Sequence, residues 1–161
     1  LRIGLLADTH DYLKGIREAL NVFEVSRVDH IFHLGDLCQP ETVWEFTGIP
    51  MSYLLGNNDI EVVRLRRALK TAGIEYLGEQ AEVSIDGKTL GLYHGTREST
   101  TQRLIRSEKY DYLLIGHSHE LEDYTIGRTR VINPGSIWGS DKRTVAVLEP
   151  QSGELEILEI T

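Results

Sequence analysis

Leu1-Arg2-Ile3-Gly4-Leu5-Leu6-Ala7-Asp8-Thr9-His10 opens the chain. The first seven residues are nearly continuous in apolar character and too few for a helix, which predicts a strand buried on both faces. That strand runs straight into a carboxylate and an imidazole two residues apart. Working outward, residues 30–34 (His-Ile-Phe-His-Leu) predict a second strand that ends in Gly35-Asp36, and residues 52–55 a third that ends in Gly56-Asn57-Asn58-Asp59. Between them Ile16, Ala19, Leu20 and Phe23 recur at helical spacing, predicting a helix over 14–26. Pro40 starts a short helix to about Phe46, and Val62, Leu65, Ala68, Leu69 and Ala72 mark a helix that stops at Gly73.

The second half changes character. Residues 81–85 and 89–93 flank Asp86-Gly87, a hairpin signal, and 99–109 predict a helix before a buried strand at 112–115. Strands follow at 123–126, 130–132, 144–148 and 155–160, punctuated by Gly127, Pro134-Gly135 and Ser152-Gly153. Alternating strands and helices followed by an antiparallel tail predict an α/β architecture of two sheets with the helices outside.

At 161 residues the chain has the length of one domain, 1–161, and a chain this long buries roughly 70% of its unfolded surface. Seventeen basic residues stand against 25 acidic ones, a net charge of −8, which argues against a broad nucleic-acid-binding face. The longest apolar runs fall well short of the roughly 18 residues a membrane helix needs, and the opening stretch is too short for a signal peptide. Leu1 at the start suggests a trimmed or unlisted initiator Met. One cysteine, Cys38, excludes an intrachain disulfide and a thiolate zinc cluster, and suits a reducing, cytoplasmic setting. Neither a dinucleotide fingerprint, a P-loop nor a serine-hydrolase elbow is present.

The residues just past the predicted strands carry the chemistry. Asp8 and His10, Asp36, Asn57, His94, and His117 and His119 follow five separate strands, most beside a glycine. In open α/β sheets that carboxyl edge is where ligands bind. Two carboxylates, one amide oxygen and four imidazoles exceed the needs of one ion and suit two, with Asp36 as the shared ligand. Oxygen and nitrogen donors without thiolate favour Mn²⁺, with Zn²⁺, Fe, Co²⁺ or Ni²⁺ as alternatives. Each position taken singly also reads as a turn or capping residue; the set does not.

Asp8-x-His10, Gly35-Asp36, Gly56-Asn57-x-Asp59, His94 and Gly116-His117-x-His119, in this order, resemble the signature of the calcineurin-like metallophosphoesterases. Asn133-Pro134-Gly135-Ser136 is similar to a segment of their compact prokaryotic, YfcE-type phosphodiesterase branch. The resemblance implies a four-layer α/β/β/α sandwich of two mixed sheets flanked by helices. It implies one metal on Asp8, His10, Asp36 and His119, and another on Asp36, Asn57, His94 and His117. The implied activity is hydrolysis of small phosphodiesters by in-line attack of a metal-bridging hydroxide. Two divalent ions less two carboxylates leave the cluster about +2, enough to draw a phosphate ester into an acidic protein. Homo-oligomers are expected only by analogy with compact relatives.

One position departs from the family pattern. The third motif commonly carries a histidine after its Gly-Asn, and here that residue is Asn58, which donates hydrogen bonds but transfers no proton near neutral pH. Asp59 is the nearest substitute acid, and it also reads as a turn residue or a support behind the ligands. Arg97 is a candidate contact to the substrate phosphate, against the reading of a solvated arginine. Cys38 and His33 read as core residues beside the site. A non-catalytic scaffold of the same fold and a phosphomonoesterase are the competing functions.

Overall fold

The computed structural model describes residues 1–139 and 141–160. Among these residues eleven strands form two sheets. In the first, β1 (Ile3–Leu6), β2 (His30–His33), β3 (Met51–Tyr53) and β4 (Glu75–Tyr76) lie parallel in that order. Strands β10 (Thr144–Glu149) and β11 (Glu154–Glu159) extend it antiparallel from β1. The second sheet runs β5-β6-β7-β9-β8, where β5 (Gln80–Ile85) and β6 (Lys88–Tyr93) are the expected hairpin. In it β6, β7 (Tyr112–Leu114) and β9 (Thr129–Pro134) are parallel, with β8 (Leu121–Ile126) antiparallel on the edge.

The period-two pattern of the strands builds the layers. Ile3 and Leu5 of β1 and Phe32 of β2 point between the sheets, where they meet Leu90, Leu92, Leu114 and Ile132. Their neighbours Leu6 and Ile31 point the other way, against Ile16, Ala19 and Phe23 of α1 (Leu13–Val25) and Leu65 and Leu69 of α2 (Val62–Thr71). On the far side Leu113 and Val131 pack on Leu104 and Ile105 of α3 (Glu98–Arg106). Three apolar interlayers make the expected α/β/β/α sandwich, and each fully buried Leu or Ile in them contributes roughly 1.5–3 kcal/mol.

Several elements differ from expectation: α3 ends at Arg106 rather than 109, β9 runs on to Pro134 and β3 stops at Tyr53. The short helix at Pro40–Phe46 is a 3₁₀ helix. The two-residue strand β4 carries too little apolar signal to be read, and it forms because β3 offers an open parallel edge to the chain leaving α2. Strand β8 begins two residues before its predicted start, at Leu121, which stands exposed on the sheet edge. Among the described residues no helix is long and apolar enough to cross a membrane.

Candidate metal centre

Six parallel strands point their carboxyl ends at one place: β1, β2 and β3 from the first sheet, β6, β7 and β9 from the second. The loops leaving them are stitched together by main-chain bonds. Asp8 N–H donates to the Gly35 carbonyl at 3.0 Å, His10 N–H to that of Asp36 at 3.0 Å, and Gly116 N–H to that of His94 at 2.9 Å. Five of the predicted ligands, Asp8, His10, Asp36, His117 and His119, hold left-handed backbone conformations with φ between 42° and 73°. Such residues cost of order 1–3 kcal/mol each and persist where the surroundings over-determine them, as at a functional site.

Glycines let the loops close. Gly35 sits at φ 104°, and a side chain there would place its Cβ 2.6 Å from His94 Nδ1. A Cβ on Gly56 would overlap the Asp36 carboxylate and main-chain nitrogen.

All seven predicted ligand residues converge. Asp8, His10 and His119 offer donor atoms that all lie within 4.8 Å of one another, and so do Asp36, His94 and His117. Asn57 joins the second group, its Oδ1 3.1 Å from His117 Nδ1. The groups touch: His10 Nε2 is 3.5 Å from Asp36 Oδ2, and His94 Nε2 is 3.6 Å from Asp8 Oδ1. His94 donates from Nδ1 to the Leu34 carbonyl at 2.6 Å, which leaves its Nε2 lone pair facing Asp36 Oδ2 at 3.3 Å. His10 is steered likewise, with Nδ1 3.6 Å from Cys38 Sγ and its ring stacked on Trp138 at 4.2 Å.

The donor set fits cations. Asp8 Oδ1, His10 Nε2 and His94 Nε2 are buried without a hydrogen-bond partner, and all three face the same space. Electron pairs so crowded are stable only with positive charge among them. Burial pushes the Asp8 carboxyl up to about 7, against the pull of His94. Burial also acts to raise the Asp36 carboxyl, yet His94 beside it and two donations from Asn58 hold it well below the usual range. Burial lowers His10, His117 and His119, keeping these imidazoles neutral, as metal ligation requires. His94 alone is raised: burial lowers it, and the Asp36 and Asp8 carboxylates outweigh that.

The remaining candidates take separate places. Asn58 donates to Asp36 twice, from its main chain at 2.8 Å and from Nδ2 at 2.9 Å. Asp59 is buried and turned to the backbone, accepting from Gly56 and Asp36 N–H, from Cys38 N–H and from the Tyr53 hydroxyl. Arg97 lines a cavity of about 430 Å³ together with Asn57 and His94. Cys38 is half-buried, and burial with the surrounding carboxylates pushes its thiol up to about 12. His33 is buried, accepting from Gly35 N–H through Nδ1 and meeting Thr9 Oγ1 at 3.0 Å through Nε2.

The chain matches the model of the calcineurin-like phosphoesterase superfamily domain over residues 1–153. It belongs to that superfamily. Phosphodiesterase MJ0936 of Methanocaldococcus jannaschii is 31% identical over 159 residues, covering 96% of each chain. A solved archaeal phosphodiesterase superposes with a TM-score of 0.92 at 28% identity, over 99% of this chain and 100% of that one. The phosphoesterase YfcE of E. coli shares the fold, with a TM-score of 0.72 at 18% identity over the whole of both chains.

Within this calcineurin-like phosphoesterase framework, sequence reasoning passed over the residues that hold the ligands in place. Ser136 Oγ donates to the Asp8 carbonyl at 2.9 Å and accepts from Trp138 N–H. Asn133 Nδ2 donates to the Gly116 carbonyl at 3.0 Å, tying β9 to the loop that carries His117 and His119. The Asn-Pro-Gly-Ser turn was their available signal, but its targets lie 17 and 128 residues away.

Proposed function

We propose that this protein is a metal-dependent phosphodiesterase of the compact prokaryotic branch, acting on small diesters with two divalent ions, Mn²⁺ foremost. The carrying observation is the set of unpartnered buried atoms, Asp8 Oδ1, His10 Nε2 and His94 Nε2, facing one space between the two ligand groups. Asp8, His10 and His119 hold one ion and Asn57, His94 and His117 the other, with Asp36 shared. When bound, the ions supply positive charge for the phosphoryl oxygens and acidify water at the site.

The chain's own residues then divide the work. Asn58 Nδ2, held by Asp36 at 2.9 Å, lies beside the shared carboxylate and is placed to steady a phosphoryl oxygen; it provides no proton to the leaving group. Arg97 orients the ester from the cavity wall. Asp59 has both carboxylate oxygens committed to the loops and acts by positioning Asp36. Lack of an acid favours diesters with good leaving groups over monoesters. A complete ligand set weighs against a scaffold role, and the single cysteine supports a cytoplasmic setting.

Hydrolysis of bis-p-nitrophenyl phosphate by metal-stripped protein, with and without Mn²⁺, tests the reading. Turnover that needs the metal and falls more than about 100-fold in Asp36→Asn is expected. No turnover by protein shown to hold two ions would overturn it.

A further inference from the structure

The cavity beside the second ligand group is larger than a phosphoryl group needs. Its volume of about 430 Å³ lies within the range of small-molecule sites and leaves room for a whole ester arm. Asn57 and His94 line it together with Thr96, with Arg97 at the start of α3, and with Thr100 and Arg103 of that helix. Thr100 and Arg103, three residues apart, share one face of that helix, and Arg97 is its N-cap.

Five arginines of the described residues are paired with carboxylates, Arg2 with Glu149 and Glu156 among them. Arg17 binds Glu45, Arg64 binds Glu41 and Glu61, Arg128 binds Asp111 and Arg130 binds Asp123. Among the described residues Arg97 and Arg103 are two of the arginines without such a partner, and these two line the cavity. Residues 99, 100, 106 and 107, at helical spacing from Arg103, are Ser, Thr, Arg and Ser, while Glu98 is taken by Gln102 at 2.8 Å. The one carboxylate on the cavity wall is Glu79, so the two guanidiniums leave the wall net positive. Arg97 caps the start of α3 and Arg103 lies in its last turn, so roughly 9 Å of helix rise separates their backbones. Both line the cavity that Asn57 and His94 also line, and their spacing is one that a sugar bridging two phosphates covers.

We propose, resting on the phosphodiesterase reading, that this cavity is a subsite for the ester arm and that Arg103, with Arg97, selects diesters whose arm carries a second phosphate. The planar guanidinium fork suits a phosphate dianion better than any neutral arm. The recognition is electrostatic and distal, so it sets substrate preference rather than the bond-breaking step.

Calorimetric titration of the Mn²⁺-loaded protein with thymidine bisphosphate, which has a phosphate on each sugar hydroxyl, and with thymidine monophosphate tests this without turnover. The bisphosphate is expected to bind at least about tenfold tighter, the worth of a charge-assisted contact. Arg103→Gln is expected to erase most of that ratio, and Arg103→Lys, which keeps the charge, to retain part of it. Equal affinities in the wild type, or a ratio untouched by Arg103→Gln, would overturn the subsite. Turnover of bis-p-nitrophenyl phosphate, measured alongside, decides the phosphodiesterase reading separately, because that substrate has no second anion.

Discussion

Asp59 accepts the main-chain N–H of Asp36 at 3.0 Å, so a residue after β3 fixes the carboxylate that follows β2. The same oxygen accepts from Gly56 N–H at 2.8 Å and from the Tyr53 hydroxyl at 2.5 Å, and the other accepts from Cys38 N–H at 2.9 Å. Every one of these partners is a donor. In Asp59→Asn the amide NH₂ faces at least one of them, and unpaired buried groups cost about 1–3 kcal/mol each. We expect a loss of about 2–4 kcal/mol in urea unfolding together with weaker Mn²⁺ binding. Wild-type stability with activity alone abolished would make Asp59 an acid instead.

Asn58 contributes hydrogen bonds and no proton. The rate of hydrolysis across a series of aryl diesters is therefore expected to depend steeply on the leaving group's pKa. In Asn58→His the dependence should flatten, since an imidazolium can protonate the departing oxygen. A shallow dependence in the wild type, with chemistry rate-limiting, would show that another acid operates.

Ser136 bridges the turn after β9 to the loop after β1. Removing its hydroxyl in Ser136→Ala leaves the Asp8 carbonyl and Trp138 N–H without these partners. Supports of this kind are worth about 10–100-fold in metal affinity, and a drop in that range is expected in a Mn²⁺ titration. Unchanged affinity would confine Ser136 to the turn.

His33 makes acid stability a test of the core behind the site. Burial, with His94 second, lowers it from 6.5 to about 3, while the unfolded chain takes up its proton near 6.5. The folded-state value is depressed, so its contribution is present above pH 6.5 and is lost as pH falls toward about 3, by up to about 1.4 kcal/mol per pH unit. Asp8, raised to about 7, acts in the opposite sense in the metal-free protein, so the slopes of wild type and His33→Asn must be compared. In excess chelator, the variant should lose stability less steeply between pH 6.5 and 3; equal slopes would mean that His33 is protonated in the fold.

Much of this was legible in the chain. The apolar runs at residues 1–7 and 30–34 announce strands because parallel strands buried on both faces need no alternation. The ligands announce themselves because a carboxylate or imidazole directly after such a strand sits at its open end. Strand β4 was hidden, since two residues hold no period. The supports were hidden for another reason: Tyr53 reads as core until its hydroxyl is seen on Asp59, and Ser136 as a turn residue until it is seen on Asp8.

By itself the sequence determined the two sheets with helices outside, most of the order of the elements and seven candidate donors at strand ends, because local period and turn chemistry are properties of neighbours along the chain. Which donor faces which was decided only by the tertiary structure. Asp8 and His94 lie in different sheets, 86 positions apart, and come within 3.6 Å only because the sheets pack with their parallel strands ending side by side. The cavity between β6 and α3, with Arg103 on its wall, was likewise invisible, since nothing along the chain marks which stripe of a polar helix turns toward a site formed by other strands.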